Sequence, residues 1–240
     1  MSRQPTDRQR ALWVDVSLLA FAGLIFIVLI SLGNWQVRRL AWKLDLIESV
    51  NARAFGEAQA LPPGNTPIDE ITFLRVETVG TFDHGASRKV KAVTELGPGY
   101  WLMTPLSTGD AVVWVNRGFV PTGTTAEDWT NPEGRVEVRG LVRSTEPNGT
   151  ILEKNDPDKD RWYSRDVDAL SNHVSVKGAL PYFIDAEASG ETSWPRGGLT
   201  RTSFSNTHLA YAITWYGMAA LLFAAVARIV ILRFRAKLAP

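Results

Sequence analysis

The chain has no cysteine among its 240 residues. Disulfides, thiolate metal sites and covalent c-type haem attachment are thereby excluded. Histidine is also scarce, with 3 copies, so each imidazole can be weighed individually. Neither sign of charge is in excess: 26 basic residues face 25 acidic ones, a formal net charge of +1 that gives no footing for a nucleic-acid partner. No internal repeat or low-complexity tract is present. The sequence holds no Gly-x-Ser-x-Gly elbow, no His-Glu-x-x-His and no phosphate-binding glycine loop, and nothing assembles a catalytic constellation. An enzyme is not expected.

What is present is unevenly placed. Hydrophobic content of 45% and charged content of 21% are ordinary averages, but Val16 to Leu32 carries no charge and is flanked by Trp13 and Trp35. From His208 to Leu232 the only charge is Arg228. Each run reaches the roughly 20 residues that a helix needs to cross hydrocarbon. Tyr211, Trp215 and Tyr216 near the start of the second suit an interfacial aromatic belt. The first run is too long for a signal-peptide core and is not followed by a small-x-small cleavage site, so it reads as a retained anchor. Asp7 in the short leading tail argues against a mitochondrial presequence. Two spans put both termini on one side. Arg3, Arg8 and Arg10 with Arg233, Arg235 and Lys237 assign that side to the cytoplasm, against Arg38, Arg39, Lys43, Arg196 and Arg201 at the opposite ends.

Beyond Gly33 the pattern turns amphipathic, with Val37, Leu40, Ala41, Leu44, Ile47 and Val50 at helical spacing, so the helix is expected to continue to about Ala54. Leu61-Pro-Pro-Gly64 reads as a linker. From Phe73 to Phe82, and again from Arg135 to Arg143, the period is two. Tyr100–Leu106 and Ala111–Val115 form an expected hairpin, with Pro105 at an edge or bulge. Further short strands are expected at Arg88–Val93 and Pro181–Asp185, and a brief helix capped by Asp166 should turn Val167 and Leu170 inward. The expected fold class is a membrane protein of α+β type. In it, two transmembrane helices, N- and C-terminal, flank an antiparallel β-rich domain, a sandwich or barrel. The boundaries are a cytoplasmic tail 1–12, a span 13–34, an amphipathic extension 35–60, an extracytoplasmic β-rich domain 61–205, a second span 206–232 and a cytoplasmic tail 233–240.

Of the three histidines, His84 lies in Asp83-His84-Gly85, a hairpin turn by sequence and solvated by default, and His173 closes the short helix. His208 stands where the second span begins, with Tyr211, Ala212 and Trp215 on its helical face. Ionisable residues at membrane depth are costly and often functional, and neutral imidazole is a common ligand of haem iron. Ala212, Gly217 and Ala219 offer little bulk beside it, leaving room for a flat macrocycle. The alternative is an interfacial His208 hydrogen-bonded to headgroups or to the domain. Antiparallel spans bring Gly33 and Trp35 to the depth of His208. This permits a pocket shared by the helices, or simply close packing at Gly33. Asp156, Asp158 and Asp160 have the opening spacing of a calcium loop, but Arg161 replaces its glycine and no glutamate closes it, which leaves a surface turn. Asn148-Gly-Thr150 matches a glycosylation acceptor. Asn116-Arg117-Gly118 reads as the end of a strand.

Four blocks together resemble the Surfeit locus protein one family, membrane-bound assembly factors of cytochrome c oxidase. They are Leu32-Gly-Asn-Trp-Gln-Val-Arg-Arg-Leu-Ala-Trp-Lys43; Gly99-Tyr-Trp-Leu-Met-Thr-Pro105 with Val115-Asn-Arg-Gly-Phe-Val-Pro121; Asn155-Asp-Pro157 with Arg161-Trp-Tyr-Ser-Arg-Asp166; and Trp194-Pro-Arg-Gly-Gly198 with Asn206-Thr-His-Leu-Ala-Tyr-Ala-Ile-Thr-Trp-Tyr-Gly217. The family commonly has Trp at the position of Phe119 and Asn at that of Thr207. The resemblance implies a two-span protein with its central domain on the periplasmic or intermembrane-space side; with the tail charges, the expected setting is the bacterial inner membrane, both termini cytoplasmic and the central domain periplasmic. It implies a binding protein that takes haem a transiently and assists its insertion into the catalytic subunit of the oxidase. His208 would then be the metal ligand, with Trp215, Tyr211, Trp35 and Gly33 around the cofactor. Membrane lipids and haem a synthase join the expected partners. The alternative function is a membrane-anchored scaffold that stabilises the nascent oxidase subunit without binding haem.

Overall fold

Helix α1 runs unbroken from Pro5 to Ala54, 50 residues in the computed structural model. Its one proline lies in the first turn, where a missing N–H costs nothing, and the next proline is Pro62. The structure describes residues 5–150, 152–188, 193–200 and 206–238. Of the flanking cations, Arg3 and Arg201 lie outside the described residues, as do the side chains of Arg8, Arg10 and Lys237. Trp13–Ala54 and His208–Arg235 are long and apolar enough to cross a membrane. The chain is a membrane α+β protein in which two terminal helices flank a β domain. It divides into two compact units, residues 1–48 with 203–240, and residues 49–202.

In the second unit the end of α1 buries Val50 and Ala54. Arg53 Nη1 donates to the carbonyls of Asp69 and Glu70, at 2.7 and 3.0 Å, on the short helix α2, Ile68–Ile71. The strands β1 (Arg75–Phe82), β2 (Arg88–Thr94), β3 (Gly97–Ser107), β4 (Val112–Pro121) and β5 (Arg135–Ser144) follow. Helix α3 (Val167–His173) and strand β6 (Ala179–Ala186) complete the unit. The sheet order is β1-β5-β6-β4-β3-β2, and β1 also pairs with β3 through Thr81↔Ser107 and Phe82↔Leu106. Five strands therefore close into a ring, with β2 attached outside it to β3. All pairings are antiparallel except one: β4 and β6 run parallel, Val115 beside Ile184. The expected antiparallel β-rich domain is thus present, with that one pair departing from it. Along their paired stretch these two central strands are buried on both faces, as parallel neighbours commonly are.

Alternation sorts β4 between two cores. Val113 and Val115 face the ring interior with Val76, Leu106, Val142 and Ile184. Trp114 points the other way, into a cluster with Met103, Trp162, Leu170 and Phe183. Asp166 Oδ1 accepts from Ala169 N at 3.1 Å, capping α3 so that Val167 and Leu170 are buried. Pro105 is inside β3. Its carbonyl accepts from Asp83 N at 3.0 Å, so its missing N–H falls on that same edge, where β3 changes partner from β2 to β1. Phe73 has φ 66°, which delays β1 until Arg75. Asp83-His84-Gly85 is not a hairpin turn, because β1 and β2 do not pair; a 3-10 turn, His84–Ala86, joins them.

Candidate functional site

Helix α4, His208–Leu238, runs antiparallel to α1. Gln36 meets His208, Asn34 meets Tyr216, Phe26 meets Phe223 at 6.3 Å between rings, and Asp15 pairs with Arg233. Small residues let the backbones approach. Ala212 and Ala219 are buried, seven residues apart on one face of α4, and Gly33 is buried on α1. The space at Gly33 is filled: a β-carbon there would stand 2.5 Å from Tyr216 Cε1. Gly217 meets nothing within 4 Å; nine residues beyond His208, it lies about 180° around the helix.

His208 is half-buried at the start of α4, with its backbone N–H donating to Asn206 Oδ1 at 3.3 Å. Its Nδ1 lies 2.8 Å from Oε1 of Gln36, a residue only 8% exposed. A carboxamide oxygen only accepts, so Nδ1 carries the proton and donates. Nε2 is then the lone-pair nitrogen, the form of imidazole that ligates metals. One further polar atom is without a partner: Trp215 Nε1 is buried and hydrogen-bonds to nothing among the described residues. Trp215 is seven residues from His208, about 20° off the same line along the helix. Tyr211 stands on the flank of that line, 54% exposed, and Trp35 is 48% exposed on α1. Trp35 is at the depth of His208 but about 200° around the helix from Gly33.

The other histidines are held in the β domain. His173 packs edge-on against Trp162, with ring centroids 5.4 Å apart. His84 is half-buried rather than solvated, between the Pro132 carbonyl at 2.9 Å and Arg117 Nη1 at 3.3 Å. Asn116-Arg117-Gly118 lies within β4, not at its end. Asp156 accepts from Lys159 Nζ at 2.9 Å and Asp160 from Trp162 Nε1 at 2.6 Å, so the aspartate run is a closed surface turn. Among the described residues no group of three or more metal-ligating side chains gathers.

The model of the SURF1 family matches residues 23–220. The chain belongs to the SURF1 family. It is 34% identical over 215 residues to Surfeit locus protein 1 of Rattus norvegicus, covering 79% of this chain and 68% of that protein. Against Surfeit locus protein 1 of Homo sapiens the identity is 32% over 219 residues, 82% and 72% of the two chains. Against that of Xenopus tropicalis it is 34% over 220 residues, 82% and 70%. The role of the SURF1 family is cytochrome c oxidase assembly. Within the matched stretch, residue-by-residue reading singled out His208 but not Gln36, its hydrogen-bond partner. Gln36 carried a signal: an uncharged amide three residues from Gly33, on the same side of a helix that is otherwise apolar there.

Proposed function

We propose that this SURF1-family protein binds haem a and assists its insertion into the catalytic subunit of cytochrome c oxidase, acting as a binding protein rather than an enzyme. The observation that carries the reading is the Gln36–His208 hydrogen bond at 2.8 Å. A buried acceptor on Nδ1 fixes the ring and its tautomer and raises the basicity of Nε2, the usual second partner of a metal-bound histidine. Of the residues present, His208 would hold the iron through Nε2. Haem, when bound, supplies the iron and the apolar macrocycle, while the chain supplies one imidazole, the Trp215 indole with its unanswered N–H, and the exposed ring of Tyr211. With Trp35 these aromatic side chains offer apolar surface to a ring lying partly in lipid. A single imidazole without a second protein ligand among the described residues suits transient holding. The proposed setting is the bacterial inner membrane, with the β domain in the periplasm and haem a synthase as the neighbouring donor.

One observation favours the scaffold reading. Of Ala212, Gly217 and Ala219, which the sequence offers as room for a macrocycle, Ala212 and Ala219 are buried, and the space at Gly33 is filled by the Tyr216 ring. The two readings separate when the protein is produced in cells making haem a and purified in detergent. Wild type should carry a haem a spectrum. His208→Ala should change the iron coordination while the protein still inserts, and His84→Ala and His173→Ala should not. An unaltered spectrum in His208→Ala removes His208 as ligand, and a wild type that never carries haem leaves the scaffold.

A further inference from the structure

Arg117 sits in β4 with only 8% of its surface exposed. Its Nη1 donates to Asn131 Oδ1 at 2.9 Å and to His84 Nδ1 at 3.3 Å, and Nη2 donates to the Thr130 carbonyl. His84 Nε2 lies 2.9 Å from the Pro132 carbonyl and must donate to it, which leaves Nδ1 as a neutral acceptor. The Phe82 ring covers the guanidinium at 5.1 Å. Every one of these partners is uncharged, and among the described residues no carboxylate lies within ion-pair distance. Arg165, another deeply placed guanidinium, is paired twice, with Glu146 and Asp185. A buried cation without a counter-ion is expensive. Burial alone pulls the Arg117 guanidinium down from its ordinary value to about 10, which still leaves it charged at neutral pH.

A cavity of about 430 Å³ opens beside it, walled by Phe82, Val138, Pro132 and Pro195, a volume in the range of small-molecule sites. The other ionic groups on its lining are already matched. Glu187 accepts from Arg75 at 2.7 Å, and Glu137 and Arg139 meet at 2.8 Å. A guanidinium has five N–H donors. Both on Nη1 and one on Nη2 are used, while Nε–H and the second Nη2–H have no protein acceptor among the described residues. A guanidinium presents its Nε–H and one Nη2–H along a single edge of the planar fork, in the spacing that takes both oxygens of a carboxylate. We infer that this cavity is a binding site for a small organic carboxylate, gripped by the Nε and Nη2 edge of Arg117 with its apolar body against Phe82, Val138 and Pro195. Phe82, Val138 and the prolines offer an organic body apolar surface that a hydrated inorganic anion does not use.

The test uses the full chain in detergent, titrated with sodium benzoate at constant ionic strength, with sodium chloride making up the balance. The arginine Nε–H resonance absent from Arg117→Lys identifies Arg117. In wild type it should move saturably downfield with half-saturation at roughly 1–10 mM. Arg117→Lys keeps the charge without the fork and should lose the saturable rise in melting temperature that benzoate gives wild type. Ala188→Phe narrows the cavity mouth at an exposed position and should abolish the resonance shift while Arg117 stays in place. It decides the matter should Arg117→Lys fail to fold. Inorganic phosphate should act about tenfold more weakly; equal or tighter phosphate binding overturns the carboxylate assignment. No saturation by ~100 mM benzoate, or an undiminished shift in Ala188→Phe, overturns the site.

Discussion

The Tyr216 ring lies against Gly33 so closely that a β-carbon at residue 33 would stand 2.5 Å from it, and the phenol donates to Asn34 Oδ1 at 2.7 Å. The glycine is therefore a packing requirement between α1 and α4. Gly33→Ala must push the ring or the helices apart, a loss of about 1–3 kcal/mol. Thermal unfolding in detergent should show a lowered midpoint. Gly33→Ala combined with Tyr216→Ala should lose less than the two single changes added, since the new methyl enters vacated space. Strict additivity would mean that the two residues do not constrain each other.

In the β domain, the Glu146 carboxylate meets Arg165 through Nε at 3.1 Å and Nη2 at 2.5 Å. Burial by itself would raise the Glu146 carboxyl, but the hydrogen bonds and charge of Arg165 outweigh it and hold it below the ordinary 4.5. A depressed folded value means that this stabilisation is fully present above about pH 4.5 and is lost as the pH falls through the lower folded value. Glu146→Gln should therefore melt below wild type at neutral pH, and the gap should close under acid conditions. A gap that stays constant down to pH ~3 would assign the loss to something other than the carboxylate's charge.

Period and turn chemistry made much of the β domain legible. Alternation marked β1 and β5, and the Tyr100–Leu106 and Ala111–Val115 runs marked the β3–β4 hairpin. The parallel β4–β6 pair was not legible, because a strand buried on both faces shows no alternation and its neighbour is chosen by distant parts of the chain. The Asn116-Arg117-Gly118 polar break looked like a strand end for the same reason, since local sequence does not reveal that a cavity and neutral acceptors receive Arg117. At the helices, depth was legible and face was not. Equal depth grouped Trp35 with Gly33 and His208, whereas about 100° per residue turns Trp35 outward and Gln36 inward.

The tail charges and the two spans give the orientation a direct check. A reporter active only in the periplasm, fused after Gly149, should be active, and the same reporter fused at Pro240 should be silent. Gly149 lies in the loop after β5. The reverse pattern would put the β domain in the cytoplasm and exclude a periplasmic partner for it.

The sharpest prediction concerns Gln36, because it separates the hydrogen bond from the ligand. Gln36 Oε1 accepts from His208 Nδ1 at 2.8 Å and is itself buried, so its removal leaves the imidazole intact but frees the ring to rotate and to exchange tautomers. Gln36→Leu keeps an apolar side chain at the helix contact. It should weaken haem a retention roughly 10–100-fold, the usual cost of losing such a partner, with His208 still present. Gln36→Glu keeps an acceptor and makes it anionic. It should retain haem and lower the midpoint potential, since a more basic imidazole favours the ferric state. His84→Ala, in the β domain, should change neither quantity. If Gln36→Leu binds haem a as tightly as wild type with an unchanged spectrum, the hydrogen bond only packs the helices. If the potential of Gln36→Glu does not move while that of His208→Met does, the ligand is right and the proton on Nδ1 is not what tunes it.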